Sequence, residues 1–478
     1  MRSKTLAVQW ALALLAVALA SCGGGSSGSG SPQLRVANAA KNAPYNFDVL
    51  VNSVSTVTNL AYLQATGFRT VSTGSTSVEF EPTGTTTNAM TAGFSTNNGF
   101  NYTVLALQGS SALTTVAVAQ TNANIPSGQA RLTFVGVAPS AGSLDLYITA
   151  PTAPLPASAT LAAVSYAGDG TAVAPVPLLL NAGAWRIRAT ATGDATQTIL
   201  YDSGRISLDS GGDLLLAILP TTGSVATFSL LSLDDSSNVF QIFDQRVQLR
   251  VGNFAPAVGP VSAYLDAVGS SGSTGTVLGS SMALGSASSY QIVMPASYRV
   301  SFTAAGSAAE ISGLGSNLAV AASTAMSVFS VGFATQGSPN NLQLLPLLDN
   351  LQAPATGFAN LRVVQLSPDV NNVNNNVSNS LIDVVVLSAP GTPTTPPLVS
   401  GLGYTGASQY LSLPAGSYTI ALVPSGQNAP VLPTTAGVPF DLAAGSVQTL
   451  VISGCQSPGS GVCSTAPSAS LQLRLLQD

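Results

Sequence analysis

The chain has 478 residues, of which 46% are hydrophobic and only 7% charged, with 46 glycines and no histidine. A net charge of −5 with so few Lys and Arg excludes a phosphate-tracking nucleic-acid surface, because counterion release needs clustered cations. The missing histidine excludes a Ser-His-Asp triad, a Cys-His pair and the usual histidine-ligated zinc hydrolase centres.

The first element in the chain is a leader. Arg2 and Lys4 precede an apolar run from Leu6 to Ala20, interrupted by Gln9, and Ala20 and Ser21 supply the small residues of a cleavage site. At about 15 residues the run falls short of the roughly 20 that span a bilayer, so residues 1–21 read as a secretory signal peptide. Leu19-Ala20-Ser21-Cys22 resembles the lipobox of bacterial lipoproteins, which implies a diacylglycerol on the Cys22 thiol. One acyl chain holds a protein to a membrane only marginally, and the two or three implied here would hold it firmly. Gly23 follows the cysteine where an Asp would signal a different destination, and the resemblance then implies the outer membrane. Residues 22–32 are rich in Gly and Ser and read as a lipidated, flexible tether. No later apolar run is long enough to span a bilayer.

The remaining length, about 450 residues, is enough for three or four domains, and four units recur at intervals of about 100 to 120 residues. Each opens on a strand of the form Leu-Arg-Val: Leu34-Arg35-Val36, Leu249-Arg250-Val251 and Leu361-Arg362-Val363, with Arg131-Leu132-Thr133 as a looser copy. A second strand carrying an acidic residue follows, with Asp48, Asp145, Asp266 and Asp383 as the expected counterparts. A turn then feeds a longer strand at 74–80, 183–188, 294–300 and 413–420. Partial alternation and Gly, Pro and Ser turns predict an all-β chain of four tandem antiparallel β-sandwich domains, immunoglobulin-like or transthyretin-like, at 33–128, 129–245, 246–356 and 357–478.

The Leu-Arg-Val strand, the Asp-bearing strand, Leu60-Ala61-Tyr62 with Gly67-Phe68, and the turn Pro414-Ala415-Gly416-Ser417-Tyr418 resemble the bacterial domain of unknown function number 4397. The likeness is best over 34–80 and again over 361–422. It implies small antiparallel sandwiches and supplies no substrate. Where that family would have a His after the opening strand, Asn38, Asn253 and Gln365 stand here, so no role of that His passes to this chain.

Candidate chemistry is sparse. With Cys22 assigned to lipid, Cys455 and Cys463 form an even pair around a Gly-, Ser- and Pro-containing turn and read as a local disulfide in an oxidising compartment. A metal site is the alternative, for which zinc would want further ligands. Asp369, Asn371 and Asn374 offer the hard oxygen ligands that calcium accepts, against the plainer reading of an Asn-rich loop. Asp234 with Asp235, and Asp202 with Asp209 and Asp213, are the densest carboxylate clusters, for which turn and strand-end roles compete with a paired-carboxylate hydrolase. Gly24-Gly25-Ser26-Ser27-Gly28 matches a nucleophile elbow only by composition, because it lies in the tether, and a Ser-Lys dyad could use only Lys41. Trp185 is expected in cross-strand packing, with Val78, Tyr298 and Tyr418 as counterparts, and Tyr62, Tyr166 and Tyr404 at corners or edges.

These residues predict a non-catalytic, lipid-anchored cell-envelope protein that serves as a display, spacer or interaction scaffold. A glycan-binding or adhesive surface module is the alternative, and a carboxylate-based hydrolase a second. The expected partners are the membrane through Cys22 and envelope proteins or polysaccharides, with no cofactor and no nucleic acid.

Overall fold

The computed structural model describes residues 30–478 apart from 222–224, 271–273, 339, 371–380 and 426–436. The leader, Cys22 and the tether up to Ser29 therefore lie outside the described residues. The first unit runs through β1 (Gln33–Asn38), β2 (Phe47–Val51), β3 (Val54–Leu60), β4 (Gln64–Ala65), β5 (Arg69–Thr70), β6 (Gly74–Pro82), β7 (Met90–Thr96), β8 (Phe100–Gln108) and β9 (Leu113–Thr121). The second comprises β10 (Gln129–Gly136), β11 (Leu144–Thr149), β12 (Leu161–Val164), β13 (Thr171–Val173), β14 (Leu178–Asn181), β15 (Gly183–Ala191), β16 (Ile199–Leu208), β17 (Asp213–Pro220), β18 (Phe228–Leu233) and β19 (Val239–Ile242). The third has β20 (Val247–Asn253), β21 (Val261–Ala267), β22 (Thr276–Met282), β23 (Ser286–Ala287), β24 (Gln291–Val293), β25 (Ala296–Ala304), β26 (Glu310–Val320), β27 (Ala325–Val331) and β28 (Gln343–Asp349). The fourth has β29 (Phe358–Gln365), β30 (Ile382–Ala389), β31 (Thr392–Pro393), β32 (Val399–Leu402), β33 (Leu411–Pro414), β34 (Gly416–Pro424), β35 (Val438–Leu442), β36 (Val447–Ser453) and β37 (Gln472–Gln477). No α-helix occurs among the described residues.

Each unit is a two-sheet sandwich. In the first, β4 and β5 flank β1, which is followed by β8 and β9, while the facing sheet runs β3-β2-β6-β7. The other three units repeat this order. The ladders are antiparallel except that each opening strand lies parallel to the penultimate one, β1 to β8, β10 to β17, β20 to β27 and β29 to β36, and that β13 crosses from the second unit to pair in parallel with β9 of the first. An immunoglobulin constant-type sandwich pairs its first strand with its second in one sheet. Here those two strands lie in opposite sheets, so the transthyretin-like arrangement is the one present.

The second strands show why an acidic residue recurs. β3, β12, β22 and β32 each carry a bulge opposite the start of the second strand, at Asn59, Ala163, Ser281 and Gly401, whose φ of 59, 56, 47 and 63° lies in the left-handed region. Asp48, Asp145 and Asp383 accept the bulge N–H at 2.8, 2.9 and 2.7 Å. In the third unit the Ser262 hydroxyl accepts it. Ser262 is thus the counterpart, and Asp266, four residues on, instead accepts from the Thr274 amide and the Ser301 hydroxyl.

The corner residue of the following strand also has a local reason. Trp185 Nε1, Tyr298 Oη and Tyr418 Oη each donate to the carbonyl four residues earlier, at Asn181, Met294 and Pro414. The register of β6 puts Thr76, not Val78, at the equivalent place.

A core fills each sandwich, for instance Val36, Phe47, Val49, Phe80 and Val104 in the first. The strands β8, β17, β27 and β36 are buried over most of their length on both faces, because a neighbouring unit covers the outer one. Leu105, Leu107, Val116 and Val118 of the first unit pack against Val135, Leu215, Leu219 and Leu231 of the second. Phe254, Phe329 and Val331 of the third likewise pack against Val364, Leu366 and Val451 of the fourth. The four units are therefore two face-to-face pairs. Between the pairs, Arg246 binds Asp244 and donates to the carbonyls of Ile199 and Leu200 on β16, which anchors the joint to the second unit.

Candidate functional site

The opening-strand arginines meet at the seams inside each pair. Arg250 is 2% and Arg362 3% exposed, so a complete set of partners is needed to offset desolvation. Arg250 Nε donates to the Ser327 hydroxyl at 2.7 Å, Nη1 to the carbonyl of Gln477 at 2.8 Å, and Nη2 to the Asp478 carboxylate. Reciprocally, Arg362 Nε donates to Thr449 at 3.2 Å, Nη1 to the carbonyl of Leu348 at 2.9 Å and Nη2 to Asp349 at 2.6 Å. Each carboxylate is held from its own unit, Asp349 by Tyr290 and Ser327, Asp478 by Tyr410 and Thr449. The rings of Tyr290 and Tyr410 also lie beneath the guanidinium groups of Arg250 and Arg362, at 4.6 and 4.9 Å. Burial, together with the nearby carboxylates, raises both phenols above their ordinary range and keeps them as donors.

The first pair uses the same geometry with the charges moved. Arg35 donates to Thr103 and to the carbonyl of Asp234, over the ring of Phe68. Burial lowers its pKa to about 10. Arg131 reaches back to the carbonyl of Ala123, but the next residue is Asn124, where the other units have Asp235, Asp349 and Asp478. Its carboxylate comes instead from Asp213, on β17 of its own unit, at the place held by Thr103, Ser327 and Thr449 elsewhere. Desolvation, then Asp213, pushes the Asp235 carboxyl up to about 6, with Arg35 and Arg131 opposing.

The remaining candidates serve the backbone. Asn38, Asn253 and Gln365 are at most 2% exposed and tie down the turn that follows the opening strand, Asn38 by accepting from the Ala40 amide and donating to the carbonyl of Leu60. Cys455 and Cys463 are disulfide-bonded, with Cα atoms 6.3 Å apart. Their loop packs on Phe333 and Leu284 of the third unit. Asp369 lies beside the two sulfurs, yet its carboxylate accepts from the amides of Gln456 and Ser457 at 2.7 and 2.8 Å, and the sulfurs are bonded to each other. The cluster is thus a staple for the loop. Asn371 and Asn374 lie outside the described residues.

At the first seam the structure brings Asp213 near Asp235, a residue of the other carboxylate cluster. Asp202 pairs with Arg186, Asp213 with Arg131, and Asp234 caps its own turn through Asn238. Tyr166 donates to Asp169 at an edge of the seam, and Tyr404 is largely buried, with burial raising its phenol. Lys41 stands at the mouth of a cavity of about 270 Å³ between the first two units, with Tyr62, Gln108, Ser110 and Thr221.

A second cavity, of about 260 Å³, lies where β7 faces β9. Phe94, Phe100, Tyr102, Ala117 and Ala119 of the first unit line this open cleft together with Ala172 and Val173 of β13 and the following Ala174, which come from the second unit. The Phe94 and Tyr102 rings are 5.4 Å apart at 31°, and Phe100 lies 6.4 Å from Tyr102. The Asn97 amide donates to the Tyr102 hydroxyl at 2.9 Å. Ser95 and the Asn97 carboxamide line the rim, and no charged side chain contributes. Sequence reasoning passed over these rings because their spacing is that of ordinary core residues.

A family model described as Domain of unknown function (DUF4397) matches residues 32–147 and 247–376. No curated protein matches the chain. Among solved structures, the Bacillus anthracis TIE protein is similar at 9% identity and a TM-score of 0.16, covering 86% of this chain and 66% of its own, so the chain spans just under two thirds of its length. A putative cell adhesion protein from Bacteroides uniformis is similar at 10% identity and a TM-score of 0.18, covering 47% of this chain and 100% of its own. The major pilin subunit of Bacillus cereus is similar at 10% identity and a TM-score of 0.14, covering 69% of this chain and 99% of its own. Likeness at these TM-scores carries no argument about function.

Proposed function

The chain belongs to the family described as Domain of unknown function (DUF4397), and from that premise we propose that it is a non-catalytic envelope protein, anchored by lipid on Cys22 to the outer membrane, that acts as a display or interaction scaffold. The observation that carries this reading is the use made of the repeated charges. Arg250 with Asp478 and Arg362 with Asp349 join the third and fourth units, Arg131 pairs with Asp213 inside its own unit, and Asp48, Asp145 and Asp383 clip bulges. Such groups are committed to architecture, and an array of paired units multiplies contacts through avidity. A glycan-binding or adhesive role is the second reading, favoured by the aromatic cavity of the first unit.

Metabolic labelling with a tagged fatty acid and fractionation of the full chain's host tests the anchor. The native chain should take up label and sediment with outer membranes, and Cys22→Ser should lose both. A Cys22→Ser chain that remains labelled and membrane-bound removes the anchor from the proposal. Cross-linked pull-down from intact cells, with protease accessibility, then reads the partner and the face exposed.

A further inference from the structure

We propose that the cleft lined by Phe94, Phe100 and Tyr102 binds one neutral sugar ring of an envelope polysaccharide, an inference that rests on the glycan-binding reading. Repetition separates what this site owes to the fold from what it does not. In the parallel ladder the counterparts of Tyr102 are Leu214, Met326 and Gln448, so the sandwich does not require an aromatic there. Phe100 is likewise matched by Gly212, Thr324 and Ser446 two residues earlier. The cavity is also completed only when the second unit lends β13 to the edge of β9, which makes it a product of pairing.

Size and chemistry choose the ligand. A cavity of about 260 Å³ exceeds the roughly 150 Å³ that takes a benzene and falls below the roughly 300 Å³ where drug-sized sites begin. One ring with its hydroxyl groups fits. The C–H face of a pyranose carries partial positive charge that suits the electron-rich face of an aromatic ring. Ser95 and the Asn97 carboxamide have no hydrogen-bond partner among the described residues and stand at the rim. The Tyr102 oxygen accepts from the Asn97 amide, which leaves its own proton to donate. With no charged group in the lining, an acidic sugar has no counter-ion. Phe94 and Tyr102 are core rings, 9% and 4% exposed, so the half-buried Phe100 is the ring whose face a sugar would meet.

The test is calorimetry on the purified chain with linear neutral hexasaccharides of glucose, mannose, galactose and N-acetylglucosamine, beside tetramethylammonium chloride and an extended Val/Phe peptide. At least one hexasaccharide should bind, and Phe100→Ala and Ala172→Trp should each weaken it tenfold or more. Ala172 is exposed on β13, so its substitution fills the cavity from outside and keeps the test alive where Phe100→Ala disturbs folding. The melting curve of Ala172→Trp should match the parent. Failure of all four hexasaccharides, binding untouched by both variants, or loss of only ammonium or peptide binding overturns the sugar assignment. If both variants still capture the parent's envelope partner from cells, the cavity falls while the scaffold reading stands.

Discussion

A guanidinium can be buried at a seam between domains only if its donors and its charge are both answered. Arg250 and Arg362 obtain this from across the seam, through Asp478 and Asp349. In the first pair the change to Asn124 removes the carboxylate opposite Arg131, and Asp213 replaces it from within the unit. That exchange leaves Asp235 near a second carboxylate, and desolvation first, then Asp213, raises it from 3.8 to about 6. The folded state then holds a proton that the unfolded chain has released, so stability of the first pair should fall as pH rises from about 4 through about 6. Asp235→Asn should flatten melting temperature across that window and stabilise at pH 7 by about 1 kcal/mol after allowance for solvent screening. Unfolding curves taken every half pH unit check this, and an unchanged slope contradicts it.

At the scale of elements, three details show where legibility ended. The second-strand acid is readable as a recurrent residue, but in β21 the sequence points to Asp266, because a Ser at 262 has the same acceptor role without the same letter. The counterpart of Trp185 slipped from Thr76 to Val78 for a similar reason, since apolar alternation in β6 marks the face and not the register. The loop between Cys455 and Cys463 was legible as a disulfide, whereas its docking on Phe333 was not. Replacing both cysteines by serine should destabilise by about 2.5 kcal/mol on the chain-entropy account. Hydrogen exchange should also show faster exchange at residues 455–463 and around Phe333. Protection unchanged at Phe333 would mean that the loop docks without its cross-link.

For the whole molecule the reciprocal clamp makes the third and fourth units a pseudo-symmetric, isologous contact within one chain, the same face of each unit meeting its partner's. Arg250→Ala leaves Asp478 buried at the seam without its cation and should cost about 3–5 kcal/mol. Asp478→Ala in the same chain should recover part of that loss, giving a coupling energy above about 0.5 kcal/mol in a double-mutant cycle read by denaturant unfolding. Additive effects would show that the ion pair does not join the units. The joint at Arg246 sets one pair against the other through β16, so the array is not a string of independent beads.

The sequence by itself determined the all-β class, the sandwich units, the disulfide partners and the family resemblance, because strand alternation, turn residues and cysteine parity are local signals. Only the tertiary structure decided that the units pair face to face, that Arg35, Arg131, Arg250 and Arg362 meet at those seams, and that β13 completes an aromatic cavity in its neighbour. The physical reason is that a strand buried on both faces reads as one apolar run whether its outer cover is its own domain or the next. Which residues meet across a seam depends on register and docking, which no single strand encodes.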